Sequence, residues 1–574
     1  MKISQKYSKL IFLGILAILV LTVYGRSLHF NFVSDDTLHI TQNTHIHPIT
    51  FNNLTYFWKN SYQGLYIPLS YTLLMIPASL AADGSSPTSF DPTPFHAANI
   101  VLHFANCALL FALLLSITES CAASFAGTML FAIHPIQAES VAWISEFRGL
   151  WATLFSFLAL RFYLTGVERD TIGKRYILAF VFYIMALLCK PSTTIVPLLA
   201  LILEHMMYRR SILTSLRRLW PWFFAAIILT CINFSVQDPN SSMSIHSVLL
   251  RPLVALDALG FYISSLLFPT SLSFGYGRTP QVALANSLSN INIFLPLALL
   301  LILFVFRRRI GFAIYPMLLM VAALLPVLGL IPFGYQAYST VADRYMYLAM
   351  IGPALLVALF WQHLKIVGHV SILILLSCFA ALGFHQVGYW KTRDTLHIRA
   401  VEVNPESYSS LTYLAQLAFE KYKNLDLTEK LYRQAIQVSP NGIMAYAGLG
   451  KILVLKGKTK EAIHYLAIAD RSKFVPSGVS YYLGYAYYKQ DNNEKAIQSL
   501  DKSIRDYPSV MESWILKANL LKMMQHPNAS AHTLLDALKV APNNEKVLHE
   551  LEAVTPEVDD PELLKEIDAR LHTP

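Results

Sequence analysis

Charge is scarce in this chain. Of its 574 residues only 14% are Asp, Glu, Lys or Arg, against about a quarter in a soluble protein of ordinary composition. Hydrophobic residues make up 55%. That balance excludes a wholly soluble protein and points to a polytopic membrane protein with a soluble part attached. Cysteine is also scarce. The five are Cys107, Cys121, Cys189, Cys231 and Cys378, all in or beside apolar runs, and none lies in the polar C-terminal third. This excludes a disulfide framework and a CxxC metal site; an unpaired cysteine in a helix acts as a small hydrophobe. A nucleic-acid pattern is missing too. Residues 1–390 hold 22 Lys and Arg against 13 Asp and Glu, whereas residues 391–574 hold 23 of each. The whole positive excess therefore sits in the apolar part, where cytoplasmic loops of membrane proteins collect Lys and Arg. No small-residue cleavage site follows the first apolar run, so the start reads as an uncleaved helix rather than a signal peptide.

What is present is a succession of apolar runs. A spanning helix needs about 20 such residues. Runs of this kind cover 10–25, 98–116, 121–135, 149–165, 176–190, 192–207, 220–236, 289–306, 311–331, 346–363 and 367–386, with 65–82 and 250–268 equivocal. They predict eleven to thirteen spans within a membrane domain over 1–389. Lys2, Lys6 and Lys9 place the N-terminus in the cytoplasm, and Arg169, Lys174 and Arg175, Arg209 to Arg218, and Arg307 to Arg309 mark further inner loops. Alternating from there puts four ionisable clusters on the outer side: Asp35-Asp36, His134 to Glu139, Lys190-Pro191, and Asp343-Arg344-Tyr345. A random scatter would divide them between the two faces. Ionisable groups next to lipid are costly and read as functional.

From Ser409 the chain repeats every 34 residues, the tetratricopeptide period, with frames opening at 409, 443, 477 and 511. Position 8 reads Gln416, Gly450, Gly484 and Ala518; position 20 reads Thr428, Ala462, Ala496 and Ser530; position 27 reads Ala435, Ala469, Ser503 and Ala537; position 32 reads Pro440, Phe474, Pro508 and Pro542. Small residues at 8, 20 and 27 let two antiparallel helices approach closely, and proline stops the second helix. Each unit buries its face on a neighbour, which makes a solenoid. Residues 390–408 read as a linking helix, 409–544 as four repeats and 545–574 as a polar cap. A concave face of this kind is expected to bind a peptide or partner protein.

Several polar residues carry two readings. Asp35 and Asp36 either perform chemistry or end a helix and cap the next one. Arg344 suits a phosphate, because guanidinium grips phosphate oxygens as a fork, or it pairs with Asp343. Lys190 stands at a helix end, as a phosphate ligand or as a lysine snorkelling to the interface. His134 and Glu139 flank a proline turn, facing substrate or fixing the loop. Glu146, Arg148, His96 and His103 read as structural or supporting. His39, His45 and His47 form a loop cluster that binds a metal or is simply solvated. No clear metal-ligand spacing is present.

The stretches Phe32-Val33-Ser34-Asp35-Asp36, His134-Pro135-Ile136-Gln137-Ala138-Glu139, Lys190-Pro191, Phe268-Pro269-Thr270-Ser271 and Val341-Ala342-Asp343-Arg344-Tyr345 occur in this order ahead of the repeats. Together they resemble the transmembrane and tetratricopeptide-repeat O-mannosyltransferases, lipid-donor glycosyltransferases of the GT-C fold. The resemblance implies an all-α chain, with a polytopic GT-C-type helical domain followed by a tetratricopeptide-repeat α-solenoid. It implies inverting transfer of a mannose-like sugar from a polyprenyl-phosphate carrier to a protein Ser or Thr hydroxyl on the extracytoplasmic face. In that scheme Asp35, or failing it Asp36, is the base. Arg344 and Lys190 hold the donor phosphate, and His134, Glu139, Asp343 and Tyr345 contact substrate or shape the site. No cofactor is implied with certainty, although some enzymes of this fold use a divalent metal. The expected partners are the polyprenyl-phosphate-linked sugar, a protein or peptide acceptor met through the repeats, and membrane lipid. The short tail points to a bacterial relative, with the repeats in the periplasm. An oligosaccharide polymerase or ligase would show a large late outer loop, which is not evident. A membrane-anchored repeat scaffold would leave the outward charges without purpose. A transporter would show an inverted repeat, and none is seen.

Overall fold

The computed structural model describes residues 2–82, 84, 88–168, 173–236, 248–285, 291–331, 333–472 and 475–572. Arg169, Phe474 and the first residues of the 289–306 run lie outside them. The protein is all-α. Its described residues form helices and short helical turns, with only the isolated bridges Tyr62–Leu65 and Ala82–Phe90 in place of strands. It divides into two compact units, residues 1–405 and 406–574.

The first unit is a multi-pass membrane protein. Among its described residues, six helices are long and apolar enough to cross a bilayer, or eight if two bent pairs each count as one span. The eleven to thirteen apolar runs are thus not all full-length helices. Prolines stand at the end of, at the start of or inside several of them. Lys174–Cys189 has 16 residues and stops before Pro191; Val196–Tyr208 has 13 and Ile291–Val305 has 15. Cys121–Ile133 breaks at Pro135 and resumes to Ala142 with a 51° bend, and Asp343–Ala349 joins Ile351–His363 through another 51° bend. A proline removes a donor and clashes with the preceding turn, so both bends release backbone carbonyls inside the bundle.

Those freed groups need partners in an apolar surrounding. Helix Thr93–Thr118 supplies them from one buried face. Asn99 Nδ2 donates to Val141 O (3.2 Å) and Trp143 O (3.1 Å), and His103 Nε2 lies 3.0 Å from Ala132 O, while Asn106 Nδ2 donates to Leu150 O (3.0 Å) in the first turn of the unbroken helix Phe147–Glu168. Tyr347 closes the set, its hydroxyl 2.8 Å from His103 Nδ1 and 3.2 Å from Asn106 Nδ2. These polar residues hold both bent segments in place. The helix Arg393–Val403 belongs to the same unit: Arg399 donates to Thr270 O and Leu272 O, and the Asn31 amide donates to Lys391 O.

The second unit stacks four helix pairs, from Tyr408–Glu420 with Leu425–Val438 to Met511–Met523 with Pro527–Val540, then the helices Glu545–Val554 and Pro561–His572. The small positions of the repeat face close neighbours. A Cβ on Gly450 would stand 2.4 Å from Leu466 Cγ, so only glycine fits there. Thr428, Ala462, Ala496 and Ser530 are buried, as are Ala435, Ala469, Ser503 and Ala537. Gln416 in the first repeat departs from the pattern: it is exposed and donates to Glu420 (2.8 Å). Glu429 ties the first pair to the second by accepting from Lys456 (2.6 Å) and Lys458 (3.1 Å), and it also accepts from Arg433 (2.8 Å) on its own helix.

Candidate active site

The polar motifs scattered along the first unit meet at one end of its bundle. Asp35 and Asp36 follow the helix Lys2–Tyr24, Glu146 and Arg148 open Phe147–Glu168, Lys190 ends Lys174–Cys189, and Arg344 begins the bent pair that runs to His363. Antiparallel neighbours bring these starts and ends together.

Ser34 sits in the left-handed region, at φ +51°, and turns the chain sharply before the two carboxylates. They face different surroundings. Asp36 is fully buried. Its Oδ1 accepts from the Ser145 amide (2.9 Å) and hydroxyl (2.5 Å), and its Oδ2 from the Val33 amide (2.9 Å). Burial pushes its carboxyl up to about 7, against the opposing pull of the Ser145 and Val33 hydrogen bonds. Asp35 is only half-buried, and the contact to its carboxylate is a long one from Ser34 Oγ at 3.5 Å. Its backbone carbonyl, by contrast, anchors Leu38 and His39 through their amides (3.0 Å each).

Ser145 leads directly to Glu146, which is the hub of the cluster. Lys190 Nζ lies 2.6 Å from Glu146 Oε2, while Arg148 Nε and Arg344 Nε lie 3.5 Å and 3.8 Å from Oε1. Gly149 makes room for this: a Cβ there would stand 2.6 Å from Glu146 Oε2 and 3.1 Å from Lys190 Nζ. Arg344 has a second carboxylate. Its Nη1 donates to Glu139 Oε1 (2.5 Å) and its amide to Glu139 Oε2 (3.0 Å). Its guanidinium lies over Tyr335 (4.3 Å), Tyr345 (5.1 Å) and Trp143 (5.5 Å). Lys190 and Arg344 also line one small cavity with Thr153, Thr193 and Tyr345. The result is three cations held by two buried carboxylates, tied through Ser145 to the buried Asp36.

The remaining site candidates have other partners. Asp343 accepts from the Tyr276 hydroxyl (2.6 Å) and so fixes the loop ahead of Arg344. His134 and Glu139 do not pair with each other. His134 accepts from the Ile136 amide (3.2 Å), lies 3.0 Å from Leu266 O and packs edge-on against Phe379. His39 Nδ1 lies 2.8 Å from the Tyr71 hydroxyl, and burial, helped by the nearby Arg148, holds its imidazole down at about 3. His45 stacks on Tyr56. Among the described residues no three His, Cys, Asp or Glu side chains converge on a metal position. With all of its donors supplied by protein, Asp36 does not offer a second open carboxylate to a metal beside Asp35. Glu146 and Arg148 are the residues whose importance sequence reasoning missed. Their signal was two opposite charges in the first turn of a strongly apolar helix.

No protein-family model matches the chain. Protein O-mannosyl-transferase TMTC3 of Homo sapiens is 23% identical over 609 aligned residues, covering 94% of this chain and 65% of the relative. Protein O-mannosyl-transferase TMTC1 of Homo sapiens is 29% identical over 166 residues, covering 27% of this chain and 18% of its own. Protein O-mannosyl-transferase F38B6.6 of Caenorhabditis elegans is 22% identical, covering 60% of this chain and 51% of its own. Solved structures similar to it include YrrB, a TPR protein (18% identity, TM-score 0.27, 30% of this chain and 90% of that one). Pseudomonas aeruginosa pilF is another (18%, TM-score 0.28, 31% and 83%). The chain spans 65% and 64% of the length of the human and mouse TMTC3 proteins it matches, and it is similar to these protein O-mannosyl-transferases along 94% and 93% of its own length.

Proposed function

We propose that the chain is a membrane glycosyltransferase that moves a sugar from a polyprenyl-phosphate carrier to a Ser or Thr hydroxyl of a protein acceptor. The observation that carries this reading is the single cluster linking Asp36 through Ser145 to Glu146 and its three cations. In the proposed reaction Asp35, the half-open carboxylate, takes the hydroxyl proton as the acceptor oxygen attacks the sugar's anomeric carbon. The bond from that carbon to the phosphate oxygen breaks, and the phosphate keeps the electron pair. One base with in-line displacement inverts the anomeric centre and forms no covalent intermediate. Asp36 is a positioning residue: it pins the Asp35 loop to Ser145. Lys190, Arg148 and Arg344 meet the leaving phosphate. Glu146 and Glu139 hold these cations in fixed positions, so little reorganisation is needed when negative charge develops there.

The Lys and Arg clusters near residues 175, 209 and 307 lie at the helix ends remote from Asp35. This distribution supports a cytoplasmic N-terminus with the active site and repeats outside. The repeats then present the protein acceptor. Arg344 tests the phosphate role. Arg344→Ala is expected to raise the donor concentration needed for half-maximal transfer and to lower turnover, because the phosphate is touched in both ground and transition states. Arg344→Lys, which keeps the charge and loses the fork, stays partly active. The measurement is donor-dependent transfer to a peptide by purified protein, with folding checked by gel filtration. Unchanged donor dependence in Arg344→Ala would make the arginine a structural partner of Glu139 and leave Lys190 and Arg148 as the phosphate ligands.

A further inference from the structure

The proposed active site occupies one end of the first unit, and a second charged cavity occupies the other. The helix Phe147–Glu168 has 22 residues, about 33 Å at 1.5 Å per residue. Glu146 and Arg148 stand at its beginning. Near its far end, Arg161 and Glu168 border a cavity of about 1150 Å³. Arg175, in the first turn of Lys174–Cys189, and Arg209, just beyond Val196–Tyr208, complete the basic lining. Glu119, just beyond Thr93–Thr118, is the second carboxylate.

These charges are not consumed by one another. Arg209 Nη1 donates to the Tyr315 hydroxyl (2.7 Å), and Arg175 Nη1 makes a long contact with Thr165 O (3.4 Å). The half-buried Arg161 guanidinium has no hydrogen bond or ion pair among the described residues. Glu119 and Glu168 are exposed, at the rim. Among the described residues, three guanidinium groups against two rim carboxylates leave an excess positive charge within the cavity. Its other walls are mixed: Leu115, Phe162, Met206 and Phe312 give it apolar surface beside Ser116, Thr165, Tyr208 and Tyr315. Such a site suits a ligand with an anionic oxygen cluster at one end and hydrocarbon at the other. Guanidinium matches phosphate oxygens best, and helix ends in a bilayer lie where lipid headgroups lie.

We propose that this cavity binds the phosphate headgroup of an anionic lipid, from the leaflet opposite the proposed active site. Arg161 is its principal ligand, and Arg175 and Arg209 are its companions. The exposed Glu119 and Glu168 admit headgroups that carry hydroxyl donors beside the phosphate.

The test uses the purified full chain in neutral detergent, titrated with dioctanoyl phosphatidic acid, with dioctanoyl phosphatidylcholine and with inorganic phosphate. Binding to the folded state alone raises the melting temperature in a saturable way. Phosphatidic acid is expected to do so. Arg161→Gln is expected to weaken its midpoint about tenfold or more, the usual weight of a charged hydrogen bond, and Arg161→Lys by less. Because Arg209 is exposed, Arg209→Gln provides a second variant if Arg161→Gln fails to fold. Equal shifts from phosphatidylcholine and phosphatidic acid would overturn the proposal, as would phosphatidic-acid titrations unchanged by both variants. A saturable, Arg161-dependent shift from inorganic phosphate that matches phosphatidic acid would overturn the lipid assignment in favour of a soluble phosphate ester. None of these readouts depends on glycosyl transfer.

Discussion

Two adjacent aspartates of the same chemistry are made different by what surrounds them. Asp36 is buried and accepts three hydrogen bonds, while Asp35 keeps a half-open carboxylate. The sequence supports a special role for the pair and does not divide it, because the division comes from Ser145, 109 residues away. The same limit hid Glu146. Its two charges in an apolar run were readable, but the Lys190 and Arg344 that meet it lie on other helices. The raised Asp36 carboxyl has a consequence for stability. Its value of about 7 lies above the ordinary 3.8, so the unfolded chain gives up this proton first. Ionisation therefore costs folding stability progressively as pH rises from about 4 through about 7, and the cost is constant above that. Asp36→Asn removes this titration. The melting temperature of Asp36→Asn relative to the parent is expected to climb across that window. A gap that does not change with pH would mean that Asp36 titrates alike in the folded and unfolded chains.

Helices Cys121–Ile133 and Lys174–Cys189 both stop short of a proline, and that is where the site is built. Apolar runs in the sequence locate the helices well and their ends poorly. A run continues through Pro135 or Pro191, whereas the backbone hydrogen-bond ladder does not. Hence eleven to thirteen runs give six to eight helices of spanning length among the described residues. The same breaks explain the polar face of Thr93–Thr118. Asn99 and His103 stand on one face of the helix and serve carbonyls at Ala132, Val141 and Trp143. Read in sequence alone, an amide or imidazole in a spanning helix suggests a ligand. Here those groups hold the broken segments that carry Glu139 and Glu146. Asn99→Ala leaves Val141 O and Trp143 O without this donor and is expected to cost about 1–3 kcal/mol, read as a lower melting temperature in detergent. An unchanged melting temperature would mean that the bent segment is held by other contacts.

For the whole molecule, the division into an apolar unit and a repeat unit was legible in composition and period. Period reports local packing, and the 34-residue repeat of small and large residues leaves few alternatives to stacked helix pairs. The proposed sidedness rests on charge. The basic clusters at 175, 209 and 307 fall at helix ends remote from Asp35, as expected when Lys and Arg remain in the cytoplasm. A fluorescent reporter that matures only in the cytoplasm, fused after Pro574, is expected to stay dark. A bright fusion would reverse the proposed orientation and place the Asp35 cluster on the cytoplasmic side.

The proposed chemistry rests on Asp35. The decisive assay supplies the purified full chain with a polyprenyl-phosphate-linked mannose and a Ser/Thr peptide and follows glycopeptide formation. Asp35→Asn keeps the size of the side chain and removes its basicity. Transfer is expected to fall by about 10²–10⁴-fold, the usual weight of a general base, with the melting temperature and donor affinity retained. Asp35→Asn protein that transfers sugar at the parental rate would contradict the proposed mechanism.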